Sequence, residues 1–164
     1  MTEVLRADDI QLQGLIDLLD KYHLSISRID DDTPIPGSFW GDEEAGLISD
    51  TLYLRGDTPV HSVLHESCHY ICVDEQRRQH LHTNAGSDTD EENAVCYLQI
   101  LLADQITDMG RARMLSDMDS WGYSFRLGSA RAWFESDAED ARTWLLQHGI
   151  IDEDLQPTFF TRIK

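Results

Sequence analysis

Residues 59–71, PVHSVLHESCHYI, decide how this chain folds. Thr58 is a favoured N-cap and Pro59 suits a first helical position, so the spacing predicts a helix running to about Asp74. Successive residues on a helix are about 100° apart, so positions i and i+4 project from nearly the same face. His65 and His69 therefore present two imidazoles side by side, which suits two corners of a tetrahedral metal site. Glu66 is offset by one residue and cannot ligate along with both histidines, but it can reach a water on the open side of such a metal. Val60, Leu64, Cys68 and Ile71 form a separate apolar stripe that is predicted to face the core.

Working upstream, Leu12, Leu15, Ile16 and Leu19 predict an amphipathic helix over 8–22, capped by Asp8 or Asp9. HLSISRI alternates like a strand, and DDDTPIPG reads as a turn. SFWG, AGLIS and TLYLRG are short strand candidates joined by GDEEAG and SD, which predicts a small antiparallel sheet. Downstream, QHLHTNAGSDTD reads as a loop and EENAVCYLQILLADQI as a helix with Asp90 near its start. Beyond Gly110 the helical pattern is patchier. Ser129 is placed to open a helix over ARAWF, and Asp137 to open AEDARTWLLQHG, which Gly149 would stop. Helix, small sheet and then helices describe an α+β fold, read as one domain over 1–164.

Composition narrows the function classes. The net charge of −18 opposes a nucleic-acid partner, because phosphate contacts need a basic surface. No apolar run approaches the roughly 20 residues of a membrane helix, so no membrane association is expected. The first residues, MTEVLRADDI, carry no signal-peptide pattern, and the odd number of cysteines (Cys68, Cys72, Cys96) favours reduced thiols; the expectation is a cytoplasmic protein.

H-E-x-x-H on a helix is the zinc-hydrolase signature for the geometric reason given above, though it arises by chance in a chain this long on the order of one time in a hundred. Two histidines need a third protein ligand. The metzincin extension fails, because its Gly position is Cys72 and its final His position is Glu75. EENAVCYLQILL offers a glutamate instead, with Glu91, Ala94, Tyr97, Leu98, Leu101 and Leu102 at telling offsets. On these residues the chain resembles the gluzincins, zinc metallopeptidases that add a glutamate from a second helix, and most of all their small soluble members. The similarity covers roughly 47–105 and nothing in the last third. It implies Glu91 as third ligand and Ala94 as a close-packing position against the His65–His69 helix. The family often supports a ligand histidine with Asp or Asn one residue after that alanine; here the position is Val95, leaving Asp88 or Asp90 as candidate supports. Glu92 is the rival ligand, and His80 or His82 could supply a nitrogen instead.

His61 lies one turn before His65, as a cleft-lining or hydrogen-bonded side chain. Trp121, Trp133 and Trp144 are expected to pack in the core. Tyr70, Tyr97, Tyr123, Arg126 and His148 are candidates for stabilising an oxyanion. The expected function is a zinc-dependent hydrolase acting on polypeptide, with Zn2+ held by His65, His69 and Glu91 and with Glu66 as general base. The resemblance further implies that an edge strand, TLYLR or GLIS, pairs with an extended peptide substrate. Two alternatives are a weakly active or inactive metal-binding relative that works through protein contacts, and an acidic interaction module that needs no metal.

Overall fold

The structure, a computed structural model, describes residues 3–38, 43–81 and 88–162. Among these the element order is a 3-10 turn at Ala7–Asp9, then α1 (Leu12–Asp20), β1 (Ser25–Arg28), β2 (Gly46–Ile48) and β3 (Thr51–Leu54). Helices α2 (Val60–Cys72), α3 (Glu75–Arg78), α4 (Thr89–Ala103), α5 (Arg111–Trp121), α6 (Ala130–Ser136) and α7 (Glu139–Gln147) follow. The fold is α+β, a small sheet and a helical remainder around one core.

The sheet is mixed rather than antiparallel. Its order is β1-β3-β2, with β3 antiparallel to β2 but parallel to β1. A parallel pair needs a long return connection, here the stretch after β1 that leads through β2. The order also corrects one expectation: TLYLR is the central strand, and only GLIS, in β2, lies at an edge. SFWG falls almost wholly outside the described residues.

Helix α2 begins one residue later than its sequence suggests. Pro59 is the N-cap, with φ −63° and ψ 138°, and the Thr58 hydroxyl accepts from Arg55 N at 2.9 Å to close the turn from β3. The first helical N–H, on Val60, is satisfied by the Leu5 carbonyl at 2.8 Å, so the N-terminal segment supplies the partner that a capping side chain normally would. Burial does not stop at the predicted stripe: Val60, Val63, Leu64, Cys68, Ile71 and Cys72 are fully enclosed, and His61 and Ser67 are too. The helix runs through the middle of the molecule, with the sheet on one side and α4 and α5 on others.

Helix α4 is the principal partner of α2. Its N-cap is Asp88, whose carboxylate accepts from Glu91 N at 2.8 Å. Ala94 is fully buried, as expected for a close contact between the two helices. The predicted cap at Ser129 is present, its hydroxyl accepting from Ala132 N at 3.1 Å. Gly149, at φ +71°, ends the last helix as its position predicts.

Candidate metal centre

Helix geometry brings the two histidines together as the sequence implies. The Nε2 atoms of His65 and His69 face each other 3.2 Å apart. Each lies 3.2 Å from a different carboxylate oxygen of Glu92. A tetrahedral ion with nitrogen ligands at about 2.0–2.1 Å separates its donors by roughly 3.3 Å, so the spacing matches a coordination edge. His65, His69 and Glu92 form a group that can hold a metal ion.

The third member is therefore Glu92, not Glu91. Glu91 is buried at 3% exposure and faces away from the imidazoles. It accepts from the Arg77 guanidinium and, at 3.0 Å, from Arg162 Nη1. Consecutive helical residues diverge by about 100°, so α4 can offer only one of the two glutamates to α2. The partly exposed pair Arg77 and Arg162 claims the other: an unpaired carboxylate at Glu91 would be costly, and two guanidiniums remove that cost. Arg162 also donates from its backbone to the Ile71 carbonyl at 2.9 Å, so this cluster fastens the C-terminal segment across the end of α2. His80 lies in the turn after α3, outside the cluster, and His82 lies outside the described residues.

One residue that sequence reasoning missed completes the arrangement. Gln99, fully buried, places Oε1 3.0 Å from His65 Nδ1. Its amide nitrogen donates to the His61 carbonyl at 2.9 Å, which fixes the amide so that its oxygen must face the imidazole. His65 Nδ1 then carries a proton, and Nε2 is the ring nitrogen that faces His69 and Glu92. The convergence is electron-rich and needs a proton or a cation to be stable. Neither Asp88 nor Asp90 takes this role: Asp88 caps the helix, and Asp90 is exposed. The available signal was a lone glutamine inside the apolar run YLQILL, two helical turns after Glu92 on the same face. Gln99→Leu is expected to weaken metal binding about 10- to 100-fold by freeing the ring of His65, as a competition titration against a chromophoric chelator would show.

The cluster opens on a cleft of about 320 Å³ lined by Glu44, Ala45, His65, Glu66, Glu92 and the Trp121–Tyr123 turn. That turn depends on Gly122. At φ +102° it ends α5 in the left-handed region, and Tyr123 N then bonds back to Met118 O at 3.0 Å. The turn swings Tyr123 over α2, where its ring meets His61 and His65 edge-on and its hydroxyl lies 3.1 Å from His61 Nδ1. The other oxyanion candidates are elsewhere. Tyr97 stacks on Phe134, Arg126 is paired with Asp137, His148 lies against Trp144 and Tyr70 lies under Arg78. Of the three tryptophans, Trp133 is buried in the core whereas Trp121 is part of the cleft wall.

The electrostatics divide the cleft into distinct roles. Burial raises the pKa of Glu66, and the charges of Glu92 and Glu44 add to the effect against the opposing pull of His65 and His69. Burial acts the same way on Glu92, but hydrogen bonds from both imidazoles outweigh it and hold this group well below the usual carboxylate range. For His65, burial disfavours charge, while Tyr123, Cys96 and Glu92 favour it and prevail, so its pKa lies well above 6.5. Of those three, Glu92 is the one held as an anion, because burial pushes Tyr123 up to about 12. Burial also brings His61 down to about 3, so it remains neutral and serves as a hydrogen-bonding partner for Tyr123.

The sign of the pH dependence follows. Without metal, His65 keeps its proton to a pH above 6.5, and a metal must displace that proton. Metal affinity is expected to rise with pH by about tenfold per unit until the raised pKa is passed. Titrations at a series of pH values check this, and an affinity independent of pH between 5 and 7 would contradict the protonation state assigned to His65.

Comparison with protein-family models, curated proteins and solved structures found no match for this chain.

Proposed function

We propose that this protein is a zinc-dependent hydrolase acting on polypeptide, with zinc held by His65, His69 and Glu92 and with Glu66 as general base. The observation that carries the reading is the convergence of two Nε2 atoms and one carboxylate at 3.2 Å, with a second carboxylate, Glu66, lining the same cleft. Two nitrogens and one oxygen, with an open side toward a cleft, are the donor set of catalytic zinc sites. The H-E-x-x-H spacing and the likeness to gluzincins point the same way, with the glutamate one residue later than that likeness implies.

A zinc held by His65, His69 and Glu92 would supply Lewis acidity, lowering the pKa of a water toward neutrality and polarising a carbonyl. The chain supplies the proton handling. Glu66 takes the proton of the attacking water and returns it to the departing amine; burial brings its pKa closer to neutrality, where a general base works best. Tyr123 keeps its phenolic proton throughout the neutral range and is placed to donate to charge developing on a carbonyl oxygen. Gln99 and His61 hold the rings on either side in register.

For the substrate, the candidate edge is β2. Ala45, just before it, lines the cleft, and its N–H is fixed by the Ser62 hydroxyl of α2 at 2.9 Å. The Pro36–Ser38 segment packs against this strand so tightly that a Cβ on Gly46 would fall 1.9 Å from the Pro36 carbonyl oxygen. A peptide therefore engages the cleft through the Glu44–Ala45 end of the strand. All three cysteines are free and buried, which suits a reducing, cytoplasmic setting. Among the described residues no helix is long and apolar enough to cross a membrane.

Incubation of the zinc-loaded protein with an unstructured protein substrate tests the reading. Chelator-sensitive cleavage restored by zinc is expected. Zinc binding with no cleavage of any peptide in a diverse library would reduce the protein to a metal-binding relative.

A further inference from the structure

The cleft holds one carboxylate more than the proposed chemistry uses. Glu92 belongs to the metal-binding group and Glu66 is the base, which leaves Glu44. Its neighbour Glu43 is claimed by Arg6, whose Nη1 lies 2.6 Å from it. Among the described residues no hydrogen bond or ion pair reaches Glu44. Its backbone is nevertheless anchored, because the next residue is fastened to α2 through Ser62. Trp121 and Tyr123 line the same cleft; among the described residues no lysine or arginine lines it, and the Arg6 guanidinium lies 5.9 Å from the centroid of the Trp121 ring.

Charge balance makes the gap specific. Among the described residues three carboxylates line the cleft, and the two charges of a divalent ion compensate two of them. The remaining negative charge lies beside an aromatic wall, a combination that attracts organic cations through both the carboxylate and the ring face.

We propose that Glu44 is a specificity-determining residue that binds a positively charged group of the substrate, an ammonium or guanidinium, next to the scissile bond. This rests on the hydrolase reading for what is cleaved, but the binding preference can be measured without cleavage. The net charge of −18 also draws cationic peptides toward the molecule. That general field acts on any basic peptide, whereas Glu44 acts on one position.

The test is equilibrium binding of matched peptides to the zinc-loaded Glu66→Gln protein, followed by tryptophan fluorescence or calorimetry. The peptides differ at a single position carrying Lys, Gln or Glu, and each is made with a free or an acetylated N-terminus. In the parent, the Lys peptide is expected to bind at least five- to tenfold more tightly than the Gln peptide. Adding Glu44→Gln is expected to bring that ratio near one, and Glu44→Arg to favour the Glu peptide. A Lys-over-Gln preference that Glu44→Gln removes assigns the cation to a side chain; tighter binding of the free than of the acetylated peptides, removed by the same substitution, assigns it to the terminal amine, and both support the proposal. Lys-to-Gln and free-to-acetylated ratios that Glu44→Gln leaves unchanged overturn it, as do ratios that are both near one in the parent. Because binding is read in a non-cleaving variant, a preference at Glu44 with no hydrolysis by the parent enzyme would sink the hydrolase reading and leave this one standing.

Discussion

Glu92→Ala is expected to lower zinc affinity more than a hundredfold, and Glu91→Ala to leave it nearly unchanged. The two glutamates are adjacent in sequence and chemically identical, so their contrast isolates geometry from composition. Glu92 offers one oxygen to each imidazole at 3.2 Å, and its removal deletes a donor. That loss should exceed the 10- to 100-fold that follows when only an orienting partner such as Gln99 is removed. Glu91 has a different role. Its carboxylate is 4% exposed and paired with Arg77 and Arg162, so its removal takes a partner from two guanidiniums near the end of α2, leaving Arg77 with Asp74 and Arg162 with the Cys72 carbonyl. Breaking such a cluster costs on the order of 2–4 kcal/mol, somewhat reduced here because both arginines keep partial access to solvent. Glu91→Ala is therefore expected to lower the melting temperature by roughly 5–10 °C with zinc stoichiometry intact. Metal analysis and thermal melts of the two variants, side by side, decide the matter. Reversed phenotypes would return the third ligand to the position implied by the resemblance.

Glu66→Gln is expected to retain zinc and to lose hydrolysis by about 100- to 10,000-fold, the usual contribution of a positioned general base. The amide preserves size and hydrogen-bonding capacity but cannot accept the proton of the attacking water. Because burial works against ionised Glu66, the neutral amide is also expected to be tolerated or slightly stabilising in the metal-free protein. The variant separates a catalytic role from a structural one: unchanged cleavage with unchanged zinc content would exclude Glu66 as the base.

The parts of the molecule that local chemistry controls were legible in the sequence. The i, i+4 histidine pair, the α2 and α4 helices, the Ser129 cap and the Gly149 stop each follow from neighbouring residues and appear where their patterns place them. What was not legible depends on distant partners. Choosing between Glu91 and Glu92 required knowing that Arg162, 71 residues later, returns to bury one of them. Pairing β1 in parallel with β3 is a tertiary choice that alternation in a four-residue strand cannot encode. Tyr123 enters the cleft only because Gly122 ends α5 in a left-handed turn, in a stretch where the helical pattern was patchy. Gln99 was visible as a polar residue in an apolar run, a signal that points to a buried hydrogen-bond partner without naming it. Glu44, read as part of the GDEEAG turn, gained significance only when the cleft placed it beside Glu66.

Every role proposed for the cleft requires a single ion shared by α2 and α4. A crystal of the zinc-loaded protein measured at the zinc absorption edge would locate that ion. One anomalous peak within about 2.0–2.2 Å of His65 Nε2, His69 Nε2 and an oxygen of Glu92 is the expected result. A peak bound by Glu91 instead, or none near the two histidines at saturating zinc, would contradict it.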